Sequence, residues 1–579
     1  MKCRSLRLCF LCILCASVVN AFALDREAFT FTSYDLNVRV EPEQQRLGAR
    51  GKITLRNDTQ APQKIAVLQI SSSLSWRSIQ AVGKQLQFVA QPYTSDIDHT
   101  GALSEAIVTL PEAVPPKGTV DLEIAYEGMI ALDATRLTRL GTPETTANST
   151  DWDQISTKFT AVGGAGNVAW YPIATEAADL SEPTSLSDVV GRLKARESTS
   201  KMHFHIEETG QGEPPQIFVS GSMCMVTLIE QMDLNHHLVA DCKPMLLGPT
   251  VPILVIANYT ILERPDITVR YFNGHEAAAT AYAEAAEQAA PFIVEWFGAM
   301  RKKAETTELA DPSASPVESG AFLLTPLAGT DSKLAGLAAV HQLTHAAISS
   351  PRPWIDEGLA HFAQALYLEH QSGRQAALDY MALHRSALGA AEREKQTTVP
   401  RSEDEVKRSL VNTTDEALYR SKAMCVWWML RDMIGDQALK KALASYDAEQ
   451  DKDPAYMQRL IQAQTQKDLR WFFDDWVYRD RGLPEFKIES AFTRKTSPGA
   501  YVLTITVDNL GAAGAEVPLT VKFPGGVVTQ RLVVPSKSNS VIRVEVPKPP
   551  EEIVVNDGSV PESDTTNNVF KIEPGDAAK

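Results

Sequence analysis

The sequence predicts a multidomain α+β protein: an N-terminal β-saddle or sandwich, a mainly helical central domain and a C-terminal β-sandwich. Three observations predict it. Residues 34–40 (YDLNVRV), 52–57 (KITLRN), 120–126 and 202–206 alternate apolar and polar side chains with the period of two expected of half-buried strands. From Pro265 the period changes: after one strand at 267–272, the alanine-rich run 275–300 and nearly all of 331–478 have helical composition. After Gly482-Leu483-Pro484, strand-like runs at 501–508, 517–523, 527–534 and 540–546 are separated by glycine and proline turns, the spacing of a small sandwich.

The 579 residues, 44% of them hydrophobic and 22% charged, supply material for three or four cores. The first 23 carry Lys2, Arg4 and Arg7, an apolar run at 8–19 and the small-x-small triplet Ala21-Phe22-Ala23, which is the build of a secretory signal peptide. The expected division is therefore 1–23 signal peptide, 24–264 β domain, 265–483 helical domain and 484–579 β-sandwich. An exported protein follows, periplasmic or extracellular, with no transmembrane segment, since no later run reaches the roughly 20 apolar residues that spanning requires. Cys224 and Cys242 lie on neighbouring strand-like runs, so an oxidising compartment would allow a disulfide; two buried thiols are the other reading. A formal charge of −16, or −19 without the three basic residues of the leader, argues against nucleic acid and anionic membrane as partners. His236 and His237 fall in a polar turn between strands and read as solvated. Trp427, Trp428, Trp471 and Trp476 read as core.

Residues 340–364, VHQLTHAAISSPRPWIDEGLAHFAQ, carry the chemistry. His341 and His345 are one helical turn apart, so a helix over 331–348 projects both from one face. Ser349 to Pro353 break that helix, and a second over 354–369 brings in Glu357. Two imidazoles and a carboxylate make three ligands and leave one tetrahedral position open, as in a catalytic zinc site. In the H-E-x-x-H pattern the residue after the first histidine is the glutamate that takes a proton from the attacking water. Here it is Gln342, and an amide cannot accept that proton.

This arrangement resembles the aminopeptidase N family of gluzincin zinc metallopeptidases. WIDEGLAHF is similar to the family's W-L-N-E-G-F-A signature, whose glutamate is the third zinc ligand and falls on Glu357. LYRSKAMCVWWMLRDMIGD is similar to the helix whose tyrosine stabilises the tetrahedral intermediate, which implies Tyr419. YDLNVRV, NVAWYPIA and DLRWFFDDWVYRDRGLP resemble the family's N-terminal opening, its W-Y-P region and the end of its catalytic domain. The resemblance implies a thermolysin-like central domain, one Zn2+ ion and a peptide or protein substrate. The substrate-binding G-A-M-E-N motif corresponds to Gly320-Ala321-Phe322-Leu323-Leu324, without the glutamate that anchors a free amine. The family's later helical glutamate is Gln364, and the spacer from His345 to Glu357 is eleven residues where eighteen is usual. Glu318, two residues before Gly320, reads as an exposed loop carboxylate. The expectation is an exported zinc-metallopeptidase-like protein of aminopeptidase N type whose peptide hydrolysis is impaired. The alternative is an inactive pseudo-peptidase that binds peptides or proteins.

Overall fold

The computed structural model describes residues 24–182, 185–247, 251–328, 331–397, 409–496 and 499–572. The expected signal peptide therefore lies outside the described residues. So does the fraying expected from Pro574.

A nine-stranded sheet dominates the N-terminal region. Its principal strands are β1 (Phe29–Glu41), β2 (Arg46–Asn57), β3 (Leu74–Ala81), β4 (Thr119–Met129), β5 (Lys201–Gln211), β6 (Met225–Met232) and β7 (Asn235–Asp241), in the order β6-β7-β5-β1-β2-β4-β3. The strand alternation has its expected cause. On β1, Leu36, Val38 and Val40 are buried while Asp35, Asn37 and Arg39 face solvent. Cys224 and Cys242 flank the β6–β7 hairpin and are joined by a disulfide. His236 is not solvated: it is buried, with Nε2 2.7 Å from Glu208 Oε2. Helix α1 (Ser185–Arg196) also belongs to this region.

The central region opens with a five-stranded sheet of β8 (Thr260–Glu263), β9 (Ile267–Tyr271), β10 (Ala304–Glu308), β11 (Val317–Ser319) and β12 (Phe322–Thr325), ordered β8-β9-β10-β12-β11. The short β11 is the edge strand, antiparallel to β12. Helices α2 (Glu276–Phe297), α3 (Ser332–Ala347), α4 (Pro353–Ser372) and α5 (Arg374–Leu383) follow. The alanines of α2, with Ala279, Ala283, Ala286 and Ala290 buried, allow close approach of its neighbours. The run 417–434 begins not as an α-helix but as a π-helical turn, Ala417–Lys422, before α6 (Ala423–Ile434). Trp427, Trp428 and Trp476 are fully buried, whereas Trp471 is only partly so.

Two sheets form the C-terminal sandwich: Phe486–Lys495, Tyr501–Asn509 and Ser538–Val546 in one, Gly526–Val534, Ala515–Phe523, Glu552–Val555 and Val569–Lys571 in the other. One continuous buried cluster runs from Ile267 on β9 through the helices to Val560. The helical region and the sandwich therefore share their apolar interior. A separate cluster fills the N-terminal sheets, and a smaller one, including Phe218, Tyr259 and Leu324, seams the two regions together.

Candidate metal centre

Local sequence sets the two helices that carry the site. Asp331 caps α3 by accepting from the backbone N–H of Lys333 at 2.9 Å and of Leu334 at 3.4 Å. Ile348 is extended and ends α3; Pro353 opens α4, where its missing N–H costs nothing. Asp356 Oδ1 accepts from Ser350 N at 2.8 Å, so the first turn of α4 also fastens the connection between the helices.

The structure brings His341, His345 and Glu357 together. The two Nε2 atoms are 3.2 Å apart. His341 Nε2 lies 3.8 Å from one oxygen of Glu357 and His345 Nε2 lies 3.7 Å from the other. Ligands about 2.0–2.2 Å from a tetrahedral ion are about 3.3–3.6 Å apart, so these residues fit zinc once one oxygen of the Glu357 carboxylate turns to face both rings. Each remaining ring nitrogen faces an oxygen, through a hydrogen bond for His341 and an ion-pair contact for His345. His341 Nδ1 is 3.4 Å from Gln364 Oε1, and His345 Nδ1 is 3.5 Å from Asp356 Oδ2. Gln364 is itself fixed, accepting from Tyr380 Oη at 2.7 Å and donating to Leu337 O at 3.0 Å. A zinc ion held here supplies a Lewis acid and lowers the pKa of bound water to about 7.

Electrostatics favour a cation at this point. Burial opposes charge on His345, but Asp356, Glu357 and Glu318 together raise its pKa to about 9. Burial would raise the Glu357 carboxyl, yet Arg420 and the histidines hold it well below the usual carboxylate range. Arg420 donates to Glu357 Oε2 at 3.1 Å. Burial, then the charges of His341 and Arg420, keep His361 well below the ordinary imidazole value. Its ring stands 4.9 Å from that of His341.

Gln342 does not face the metal ligands as a free amide. Its Oε1 accepts from Tyr282 Oη and Thr306 Oγ1, both at 3.0 Å, and its Nε2 donates to the carbonyls of Glu305 and Ala321, both at 2.9 Å. All four hydrogen-bonding positions are filled, and the side chain pins α3 to the sheet. Gly320 and Ala321 form the turn between β11 and β12, and the Ala321 carbonyl is one of the acceptors of Gln342. Tyr419 lies in the π-helical turn beside Arg420, where burial raises its hydroxyl pKa and the charge of Glu357 adds to the effect.

Glu318 corrects the sequence reading. It belongs to β11 and not to a loop, and its Oε1 reaches His341 Nε2 at 2.9 Å and His345 Nε2 at 3.7 Å. Asp356 and Arg420 were not singled out from sequence. Their only local signals are adjacency to Glu357 and to Tyr419.

With the site in place, it can be set beside known proteins. Residues 351–476 match the model for the peptidase family M1 domain, a stretch that starts just after His345 and includes Glu357 and Tyr419. That stretch is thus similar to the peptidase family M1 domain, and two histidines with a carboxylate are a donor set that zinc fits. No curated protein matches the chain. Among solved structures it is similar to the M1 zinc metallopeptidase of Deinococcus radiodurans, at 17% identity over 76% of this chain and 90% of that one, with a TM-score of 0.45. It is also similar to a point mutant of that enzyme, at 18% identity over 78% and 94% with a TM-score of 0.46. The same mutant bound to a Tyr-Ser-Ala substrate gives 17% identity over 79% and 96%, with a TM-score of 0.46.

Proposed function

We propose that this chain is an exported, zinc-binding protein of metallopeptidase type whose peptide hydrolysis is impaired. One observation carries the reading: the position of the general base holds an amide whose donors and acceptors are all engaged by the protein. A missing general base costs about 10²- to 10⁴-fold in rate. Against a typical turnover of about 10 s⁻¹, that leaves about 10⁻³ to 10⁻¹ s⁻¹. His341, His345 and Glu357 hold the metal, Gln364 and Asp356 orient the two rings, and Tyr419 is the hydrogen-bond donor for a developing oxyanion. Gly320 and Ala321 line the substrate side of the cleft. The disulfide between Cys224 and Cys242 supports export, since such bonds persist in oxidising compartments.

The second reading, a pseudo-peptidase that holds peptides without cleaving them, is favoured by Glu318. Its carboxylate adds a fourth protein donor to a set that needs three, and four protein donors close a zinc site. Glu318→Gln separates the readings when turnover on a mixed peptide pool is measured with zinc content verified. A carboxylate that closes the site gives faster hydrolysis on removal. A carboxylate that serves as a replacement base gives a further drop of about 10²-fold or more. Unchanged turnover assigns Glu318 neither role.

A further inference from the structure

On the outer face of the N-terminal sheet, β1, β5 and β7 bring together two histidines and two aspartates remote from the centre described above. His203 and His205 are two apart on β5, so their side chains share a face, opposite the buried Met202, Phe204 and Ile206. Asp35 is the register partner of His203 on β1, and Asp241 is the register partner of His205 on β7. The imidazole centroids are 4.3 Å apart.

The contact distances divide the four residues into two kinds. Asp241 Oδ1 is hydrogen-bonded to His203 Nε2 at 3.0 Å and lies in ion-pair contact with His205 Nδ1 at 2.8 Å. With those two nitrogens turned to Asp241, His203 Nδ1 and His205 Nε2 are the ring atoms that face the other carboxylate. These two atoms lie 3.4 and 3.5 Å from Asp35 Oδ1. Two imidazole nitrogens and a carboxylate oxygen thus converge within 4.8 Å of one another, three donors placed to share one cation. The two separations from Asp35 Oδ1 match the about 3.3–3.6 Å edge of a tetrahedron with bonds of 2.0–2.2 Å. Carboxylate acceptance of the outer ring N–H is the usual support for ligating histidines. Asp241 is further held by its neighbour Cys242, which the disulfide ties across the β6–β7 hairpin.

We propose that Asp35, His203 Nδ1 and His205 Nε2 form a second divalent transition-metal site of zinc type, with Asp241 as the residue that positions both rings. The side chains are between 28% and 61% exposed, so the ion keeps solvent in its remaining position and exchanges with the medium. Borderline imidazole and carboxylate donors select zinc, nickel or copper over calcium and magnesium.

The test is zinc chloride titrated at pH 7.5 into chelator-stripped full-length protein, with bound metal counted after dialysis. Wild type is expected to hold two zinc ions, His341→Ala one, and the double variant His203→Gln, His205→Gln one. Asp241→Asn is expected to keep the second ion with about 10- to 100-fold weaker affinity. The substitutions at His203, His205 and Asp241 lie on the outer sheet face, and near-native circular dichroism verifies folding. Should His341→Ala fail to fold, wild type against the His203→Gln, His205→Gln variant decides alone. Equal zinc in those two would overturn the proposal.

Discussion

At position 342 an amide donates to two backbone carbonyls and accepts from a tyrosine and a threonine, and a carboxylate cannot reproduce that pattern. Gln342→Glu therefore leaves the carbonyls of Glu305 and Ala321 without donors, at about 1–3 kcal/mol each. Lower stability in chemical denaturation is expected, without the recovery of hydrolysis that the sequence pattern alone suggests. A stable variant that gains turnover about 10²-fold would show that the side chain at 342 turns to the metal ligands. A second residue sets a pH dependence. Burial pushes the Glu197 carboxyl up to about 7 from 4.5, where it lies beside Tyr34 Oη at 3.1 Å. Because its folded pKa is raised, its contribution to stability as a neutral acid is complete below about pH 4.5 and is lost as pH rises to about 7. Glu197→Gln removes that loss, so denaturation midpoints of wild type and variant should diverge between pH 5 and 7.5, by on the order of 2–3 kcal/mol. Parallel curves would remove Glu197 as the source.

Among elements, the π-helical turn Ala417–Lys422 bears the most. It presents Arg420 to Glu357 and directs Lys422 into the interior, where the ammonium pairs with Glu392 and Asp480. A buried cation between two carboxylates is costly to break, so Lys422→Ala is expected to lose about 3–5 kcal/mol in urea unfolding. A loss under about 1 kcal/mol would mean that solvent reaches the pair. This turn also marks where sequence reading stopped. The helical composition of 417–434 is plain, but a π turn differs from an α turn by one residue per hydrogen bond and has no compositional mark. That His341 and His345 share a face was legible because helical spacing places both, whereas Glu357 depends on the break after Ser349 and a second helix. Glu318 was not, because a three-residue edge strand has no period to read, and its direction depends on pairing with Phe322–Thr325. The alternation over 202–206 was legible too. That His203 meets Asp35 depends on a parallel pairing between strands far apart in sequence, which no local pattern reveals.

Across the whole molecule, the helical region and the C-terminal sandwich share one apolar cluster, so α3 and α4 rest on an interior that continues beyond them. That rigidity suits a site whose ligand nitrogens and oxygens are already 3.2–3.8 Å apart. Among the described residues, no helix is long and apolar enough to cross a membrane. The central claim is a metal centre that is assembled but lacks its proton acceptor. The most direct test is zinc-dependent turnover of wild type on a mixed peptide pool, with His341→Ala as the reference that lacks the central ion and zinc measured in both samples. The account predicts stoichiometric zinc at the central site of wild type and turnover no higher than about 10⁻¹ s⁻¹. Zinc-dependent hydrolysis at about 10 s⁻¹, abolished in His341→Ala, would contradict it.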